Sequence, residues 1–318
     1  FRFYAGYVSL YQNVVGYLGS FLPTWIIPYF YSLAAFVLSV FVFSMFSASL
    51  FRHIISSDRV RAGICLFVAF VPIGNVELIY TLVFSQWSLL IVMALICFIQ
   101  VPRQKTSILF LLVLGLFASC SSPIVIIFLP LIGYRIWQSE TRQTVGYFSA
   151  LVAVVLAYLL WAVDYGQPSY PHRINISVVS EFFNVLFQRV FLETLYGPWE
   201  RVWVGDDFAM VKIVLPAALI ATCISFSVMG WGINVVRRVE FWLVVGYFIL
   251  VPTVLVVLTR GFLVLSGEWG HRYLYLQSFA LIMGIAFVSI GPLRVLNRTQ
   301  TVLLFSLVAL FFVDQYRF

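Results

Sequence analysis

The feature that most constrains this chain is a succession of long apolar runs, broken only by short stretches that carry charge. The run from Val244 to Leu258, for example, holds no charged residue. Such runs suit a hydrocarbon core about 30 Å thick, which a helix crosses in about 20 residues. Backbone N–H and C=O groups find no water there, so a span must be a helix or part of a closed barrel. The runs are continuous and lack the alternation of barrel strands, which selects helices. Composition agrees: 63% of the 318 residues are hydrophobic, 10% are charged, and mean hydropathy is +1.03. A soluble domain carries about a quarter charged residues. The pattern predicts an all-α, polytopic transmembrane helical bundle.

The predicted segments are 26–51, 62–73, 83–101, 107–118, 123–136, 144–163, 209–233, 241–259, 273–291 and 300–313, about ten in all. Three of them (62–73, 107–118 and 123–136) are too short to span without tilt or flanking residues. Gly74 and the stretch Ser119–Pro123 interrupt the pattern beside them. Short or broken helices are tolerated where they line a protein-walled cavity. Residues 1–25 hold Tyr4, Tyr7, Tyr11, Tyr17 and Trp25 with Gly6, Gly16 and Pro23, which predicts a membrane-surface amphipathic hairpin. Transmembrane helices follow over 26–163 and 209–318. Between them, 164–208 is an external loop whose Phe182, Val185, Leu186, Arg189 and Glu193 fall at helical spacing, an interfacial helix over Val178–Leu195. The chain opens on Phe1 with no basic-then-apolar leader, so further residues are expected upstream.

Direction follows from lysine and arginine. The loops 52–61, 102–106, 135–143, 234–240 and 292–299 hold 11 of the 19 basic residues and 3 of the 12 acids, a net +8, while the rest of the chain is −1. These loops are assigned to the cytoplasm, which puts 164–208 outside. The net charge of +7 comes as scattered single and paired residues, so it indicates topology and not a nucleic-acid partner. Cys65, Cys97, Cys120 and Cys223 have no metal-spaced or CxxC partner and are expected as free thiols.

Ionisable groups near an apolar layer are costly, which makes them functional candidates. Glu77, in the turn Pro72-Ile-Gly-Asn75-Val-Glu77, lies at the outer face with Asn75, Gln86 and Trp87 near it. There a carboxylate could orient a sugar hydroxyl, bind a divalent cation or relay a proton; capping or pairing at a helix end is the alternative. Gly267-Glu268-Trp269-Gly270-His271-Arg272-Tyr273 also lies outside, with Arg260 at the other end of the same loop. Arginines on that side run against the charge bias, and a phosphate held bidentately would offset their cost. An Arg272–Glu268 pair with aromatic anchors is the alternative reading. Ser119-Cys120-Ser121-Ser122-Pro123 could present hydroxyls and freed N–H groups to the same cavity, or simply be a tight re-entrant turn. Glu193, Glu200, Arg201, Asp206 and Asp207, with Trp199 and Trp203, suit either carbohydrate or a solvated loop, and the loop is favoured. Asn175-Ile-Ser177 matches the short glycosylation acceptor pattern. No phosphate-cradling glycine loop, nucleophile elbow or HExxH motif occurs, and three histidines, His53, His172 and His271, do not make a metal site.

Taken in order, these pieces resemble the GT-C superfamily of polytopic glycosyltransferases, in particular its uncharacterised bacterial members. The resemblance rests on the opening Tyr4-Ala-Gly-Tyr7-Val-Ser-Leu10, and on Pro72…Glu77 followed by Gln86-Trp87-Ser-Leu89. It rests also on Ser121-Ser-Pro123…Leu129-Pro130-Leu131, and on Arg272-Tyr273 at a span mouth. It implies an integral protein of the bacterial cytoplasmic membrane with its active face outside. It implies a polyprenyl-phosphate sugar donor and a cell-surface glycan or lipid acceptor. Arg272, with Arg260 and His271 beside it, would hold the donor phosphate. Glu77 would be the catalytic base or orient the acceptor, with Asn75, Gln86, Ser121 and Ser122 around it. The family's usual acidic residue in the first external loop has no counterpart here, since no Asp or Glu occurs between Phe1 and Phe51. A fragment lacking its base, Glu77 in that role, or a chain that is not a working transferase would account for this. A transporter or flippase and a non-catalytic scaffold are the readings from other classes; an outer-face glycan polymerase or ligase is a neighbour within the enzyme class. Inverted-repeat hydropathy, the mark of many transporters, is not seen.

Overall fold

The computed structural model describes residues 9–70, 82, 85–164, 182–192, 243–257 and 275–290. Every regular element among them is helical. The chain divides into two compact units, residues 1–65 with 76–171 and residues 66–75 with 172–318.

The first unit runs through α1 (Leu10–Gly19), α2 (Ile27–Met45) and α3 (Asp58–Phe70), whose residues up to Cys65 belong to it. It continues with α4 (Ser85–Ile96), α5 (Lys105–Ser119), α6 (Leu129–Trp137) and α7 (Arg142–Asp164). Short 3₁₀ turns cover Ser49–Phe51 and Pro123–Phe128. Local sequence sets several boundaries. Pro28 sits in the first turn of α2 and Pro130 in that of α6, where the missing N–H removes no helical bond. Ser122 caps the second 3₁₀ turn, its Oγ accepting from Ile124 N, with Pro123 next.

α4 is the centre of this unit. All twelve of its residues are buried, and it packs on α1, α2, α5 and the 3₁₀ turn at Pro123–Phe128. A helix apolar around its circumference is the kind that can be enclosed on every side. α7 closes the arrangement against α5, α6 and the same 3₁₀ turn. α5 and α7 approach closely at Gly115, where a Cβ would collide with the Leu151 side chain. Beside it Tyr147 donates its hydroxyl to Leu111 O at 3.3 Å.

Along the helices the outside of the unit is largely apolar. On α2, Tyr29, Leu33, Phe36, Val37 and Val40 are exposed, while Ala35, Leu38, Ser39, Val42 and Met45 are buried. Leu109, Phe110, Val113 and Leu116 are exposed on α5, and Leu156, Leu160 and Trp161 on α7. Among the described residues two helical stretches, Ile27–Phe51 and Arg142–Trp161, are long and apolar enough to cross a membrane. Ser85–Ile96, Lys105–Ser119, Pro123–Trp137 and Leu243–Val257 are apolar but shorter.

In the second unit the described residues form a π-helical stretch, Val185–Leu192, with α8 (Leu243–Val257) and α9 (Tyr275–Ile290). Val185, Leu186 and Val190 are buried, and the π-helical stretch packs on α9. The residues expected as an interfacial helix are thus helical over 182–192 and bury part of their apolar face in protein. The expected segments 209–233 and 300–313 lie outside the described residues. Of the segment 1–25 expected as a membrane-surface hairpin, residues 9–25 are described and hold α1 and the turn after it, and residues 1–8 lie outside the described residues. Tyr11, expected at an interface, is half-buried and donates to Ala34 O at 2.9 Å.

The loop from α2 to α3 is organised by Arg61, a side chain the sequence pattern treats only as a topology charge. It is 1% exposed. Its guanidinium donates to the carbonyls of Ser47, Ile55 and Ser56 and to the Asp58 carboxylate. Asp58 also accepts two bonds from Arg52, at 3.2 and 3.0 Å. Arg61 therefore ties a carbonyl just past the end of α2, that of Ser47, to two in the loop before α3, those of Ile55 and Ser56. Arg61→Ala removes those donors and should destabilise the protein by about 3 kcal/mol or more. Thermal unfolding of the detergent-solubilised chain would read this, and an unchanged midpoint would contradict it.

Asp58 is held below the usual carboxylate range, first by the hydrogen bond from Arg52 and next by that from Arg61. A carboxyl lowered in the folded state stabilises fully above its unfolded value, about 3.9, and loses that contribution as pH falls through the folded value. Stability should therefore fall on the acid side of about pH 4. Asp58→Asn should lower stability at neutral pH and flatten that acid arm. An unchanged acid arm in Asp58→Asn would show that other groups produce it.

Candidate functional site

Seven buried polar side chains belong to the first turns of α1 and α4 and to the turn that follows α5. They are Ser9, Ser85, Gln86, Ser88, Ser119, Ser121 and Ser122. The start of α1 bridges the two other regions. Leu10 N donates to Cys120 O at 3.0 Å, and two residues on Gln12 Nε2 donates to Leu82 O at 3.1 Å. Leu82 O also accepts from Ser85 Oγ at 2.7 Å. The first turn of α1 is fixed from within by Asn13, which donates through N and Nδ2 to Ser9 O at 3.1 and 2.9 Å.

Four of these serines, Ser85, Ser119, Ser121 and Ser122, have a local reason for their place. Ser121 Oγ returns to Ala118 O at 2.6 Å and so closes the end of α5. Ser122 Oγ caps the next turn. Ser119 Oγ lies 3.9 Å from Met93 Sδ on α4. These bonds account for the hydroxyls without a ligand. Two buried atoms differ: Ser9 Oγ and Gln86 Oε1 have no hydrogen-bond partner among the described residues. A buried acceptor left unpaired costs about 1–3 kcal/mol. Gln86, in the first turn of a fully enclosed helix, is the described residue best suited to meet a hydroxyl or N–H from a bound molecule.

The arginine-rich loops gather at the other end of α4 and α5. Arg135 Nη2 donates to Ile99 O at 2.8 Å, three residues beyond α4, and its guanidinium lies 5.6 Å from the Phe148 ring centre. Gln100 N donates to Leu50 O at 3.0 Å, and Gln143 Nε2 to Pro102 O at 2.9 Å. In the first unit, then, three of the loops assigned to one side by charge come together, and the polar cluster occupies the far ends of the same helices.

Of the candidates chosen from sequence, Gln86, Ser121 and Ser122 are all buried in this unit. Glu77, Asn75, Arg260, His271 and Arg272 lie outside the described residues. Sequence reading missed Ser9 and Gln12. Ser9 lies inside the opening Tyr4–Leu10 segment but carries no signal of its own, Gln12 stands in no motif, and the Gln12–Leu82 bond joins residues 70 positions apart. Cys65, Cys97 and Cys120 are free thiols. Burial pushes the Cys120 thiol, in the turn after α5, up to about 11. It is therefore a poor nucleophile at neutral pH.

Comparison with protein-family models, characterised proteins and solved structures finds no match to this chain.

Gln86 provides a test that separates packing from binding. If its carbonyl serves only packing, Gln86→Leu removes an unpaired acceptor and should be neutral or stabilising by about 1 kcal/mol. The same change should abolish contact with a polar ligand. Destabilisation by more than about 2 kcal/mol would show that the amide is a structural hydrogen-bonding group instead.

Proposed function

We propose that the chain is an integral membrane glycosyltransferase that moves a sugar from a polyprenyl-phosphate donor to a glycan or lipid acceptor at the outer face. The observation that carries this is the distribution of polarity in the first unit. Serines and Gln86 are enclosed at the ends of α4 and α5 away from the arginine-rich loops, while tyrosine, phenylalanine and leucine face outward on α2 and α5. An apolar exterior suits lipid, where helix association rests on packing and on interhelical hydrogen bonds. A buried glutamine with an unpaired carbonyl suits an acceptor rich in hydroxyls. The sequence resemblance supplies the reaction class.

In this reading Glu77 takes the proton of the acceptor hydroxyl as that oxygen attacks the anomeric carbon. The anomeric carbon inverts and the lipid phosphate leaves with the bonding electrons. Arg272, with Arg260 and His271, neutralises the charge that develops on that phosphate. Asn75, Gln86, Ser121 and Ser122 position the acceptor. The active face is the outer face of a bacterial cytoplasmic membrane, and the ten segments of the sequence pattern complete the bundle.

A second reading has its own support. The described polar side chains are closed in, with Ser119 and Ser121 at 0% exposure. A membrane scaffold without a reaction would need no opening there.

Turnover of a polyprenyl-phosphate sugar by the purified full-length protein decides between them. Glu77→Gln should lower kcat by about a hundredfold or more, as removal of a general base does. Arg272→Lys keeps the charge but loses the planar fork, so it should weaken donor binding while folding is retained. Full donor binding and turnover by Glu77→Gln, Arg272→Lys and Arg272→Ala would reject these roles. Absence of any donor binding by the native protein would favour the scaffold.

A further inference from the structure

At the arginine end of the first unit, three segments form one surface. The Gln100–Leu50 and Gln143–Pro102 hydrogen bonds hold them together. Arg52, Arg59, Arg103, Lys105 and Arg142 are exposed there, with Asp58 and Glu140 as the acids. Among the described residues the ion pairs are Arg52–Asp58 and Arg61–Asp58. Among the described residues of this surface, Arg59, Arg103, Lys105 and Arg142 are thus accompanied by one further carboxylate, Glu140.

The imbalance is sharpened by the helices that begin here. α5 opens on Lys105 and α7 on Arg142, and neither has an acid in its first turn. Helix N-termini carry positive partial charge, which favours anions and repels cations. Three cations beside two such termini form a site whose own electrostatics are unfavourable until an anion joins it.

The surface next to this patch specifies what bears the anion. Lys105, Leu109, Val113 and Leu116 are all exposed, at spacings of four, four and three residues along α5. That spacing places them in one stripe on one face. The stripe runs about 16 Å from the charged head to its far end, close to the ~15 Å half-thickness of a hydrocarbon core. Trp137, 81% exposed at the end of α6, stands at the same end of the unit, as interfacial tryptophans do. A charged head with an acyl-length apolar stripe below it matches an amphiphile of one leaflet.

We propose that Arg103, Lys105 and Arg142 bind the headgroup of an anionic phospholipid whose acyl chains lie along Leu109, Val113 and Leu116. This rests on the membrane reading above but not on the transferase. The headgroup phosphate meets the two helix N-termini and the three cations, and the apolar stripe excludes a free anion as the preferred ligand.

The test uses the full chain in phosphatidylcholine nanodiscs carrying spin-labelled phosphatidylglycerol or spin-labelled phosphatidylcholine. The motionally restricted fraction measures lipid held at the protein. The native chain should hold phosphatidylglycerol in preference to phosphatidylcholine. Arg103→Gln, Lys105→Gln and Arg142→Gln should each lower that preference about fivefold, since one basic residue near an anionic surface contributes about 1 kcal/mol. Arg103→Lys with Arg142→Lys should retain it. Equal restriction of both lipids, or an unchanged preference in the triple glutamine variant, would overturn the proposal. Displacement of the labelled phosphatidylglycerol by inorganic phosphate would overturn it too, in favour of a free-anion site. A chain that alkaline carbonate strips from the bilayer would reject the membrane reading itself, whereas an integrated chain without lipid preference rejects this surface alone.

Discussion

Enclosure of α4 on every side determines where everything else in the first unit can go. A twelve-residue helix with no exposed face needs neighbours around its whole circumference, and α1, α2, α5 and the Pro123–Phe128 turn supply them. Small side chains permit the close approach this requires, Gly115 most directly, since α5 can reach α7 only because no Cβ intervenes. The polar residues of α4 are then committed. Ser85, Gln86 and Ser88 cannot turn outward, so each must find a partner inside or remain unpaired at a cost.

The same enclosure separates two chemical surroundings at the two ends of the bundle. At one end Arg61 and Arg135 are drawn inward to bond carbonyls of the loops between helices. The charges that remain exposed beside them are mostly basic. At the other end no charge takes part: the Gln12 amide connects α1 to Leu82 O, and the Leu10 backbone N–H connects it to Cys120 O. A helix bundle whose interior holds serines and glutamine, and whose exterior holds tyrosine, phenylalanine and leucine, suits hydrocarbon better than water.

Much of this was legible because it depends on local pattern. Apolar runs placed both ends of α5 and α7 within two residues, and the starts of α2 and α4 as closely, but α2 and α4 stop six and five residues before the runs 26–51 and 83–101 do. The Ser-Ser-Pro sequence at 121–123 announced a broken helix, since proline and a capping serine act through their own backbone. The role of Arg61 was not legible. Its spacing from Asp58 shows on the page, but its burial depends on how the loop folds back over the end of α2. The bridge from α1 to Leu82 was invisible for a similar reason, because it joins segments far apart in sequence and Gln12 has no distinguishing neighbours. The interfacial reading of Tyr11 failed to foresee its bond to Ala34 because an aromatic suited to a headgroup layer is equally suited to a buried hydroxyl bond. Of the site chosen from sequence, Gln86, Ser121 and Ser122 come within the described residues, while the proposed base and phosphate-binding arginines lie outside them.

In the proposed arrangement the chain is threaded through a membrane with its arginine-rich loops on one side and the 164–208 loop on the other. Cysteine labelling in intact cells tests it most directly. Cys65, Cys97, Cys120 and Cys223 would be replaced, and single cysteines introduced as Glu140→Cys and Asp206→Cys. A membrane-impermeant maleimide should label Asp206→Cys in intact cells and Glu140→Cys only after permeabilisation. Labelling of both positions from the same side would contradict the account.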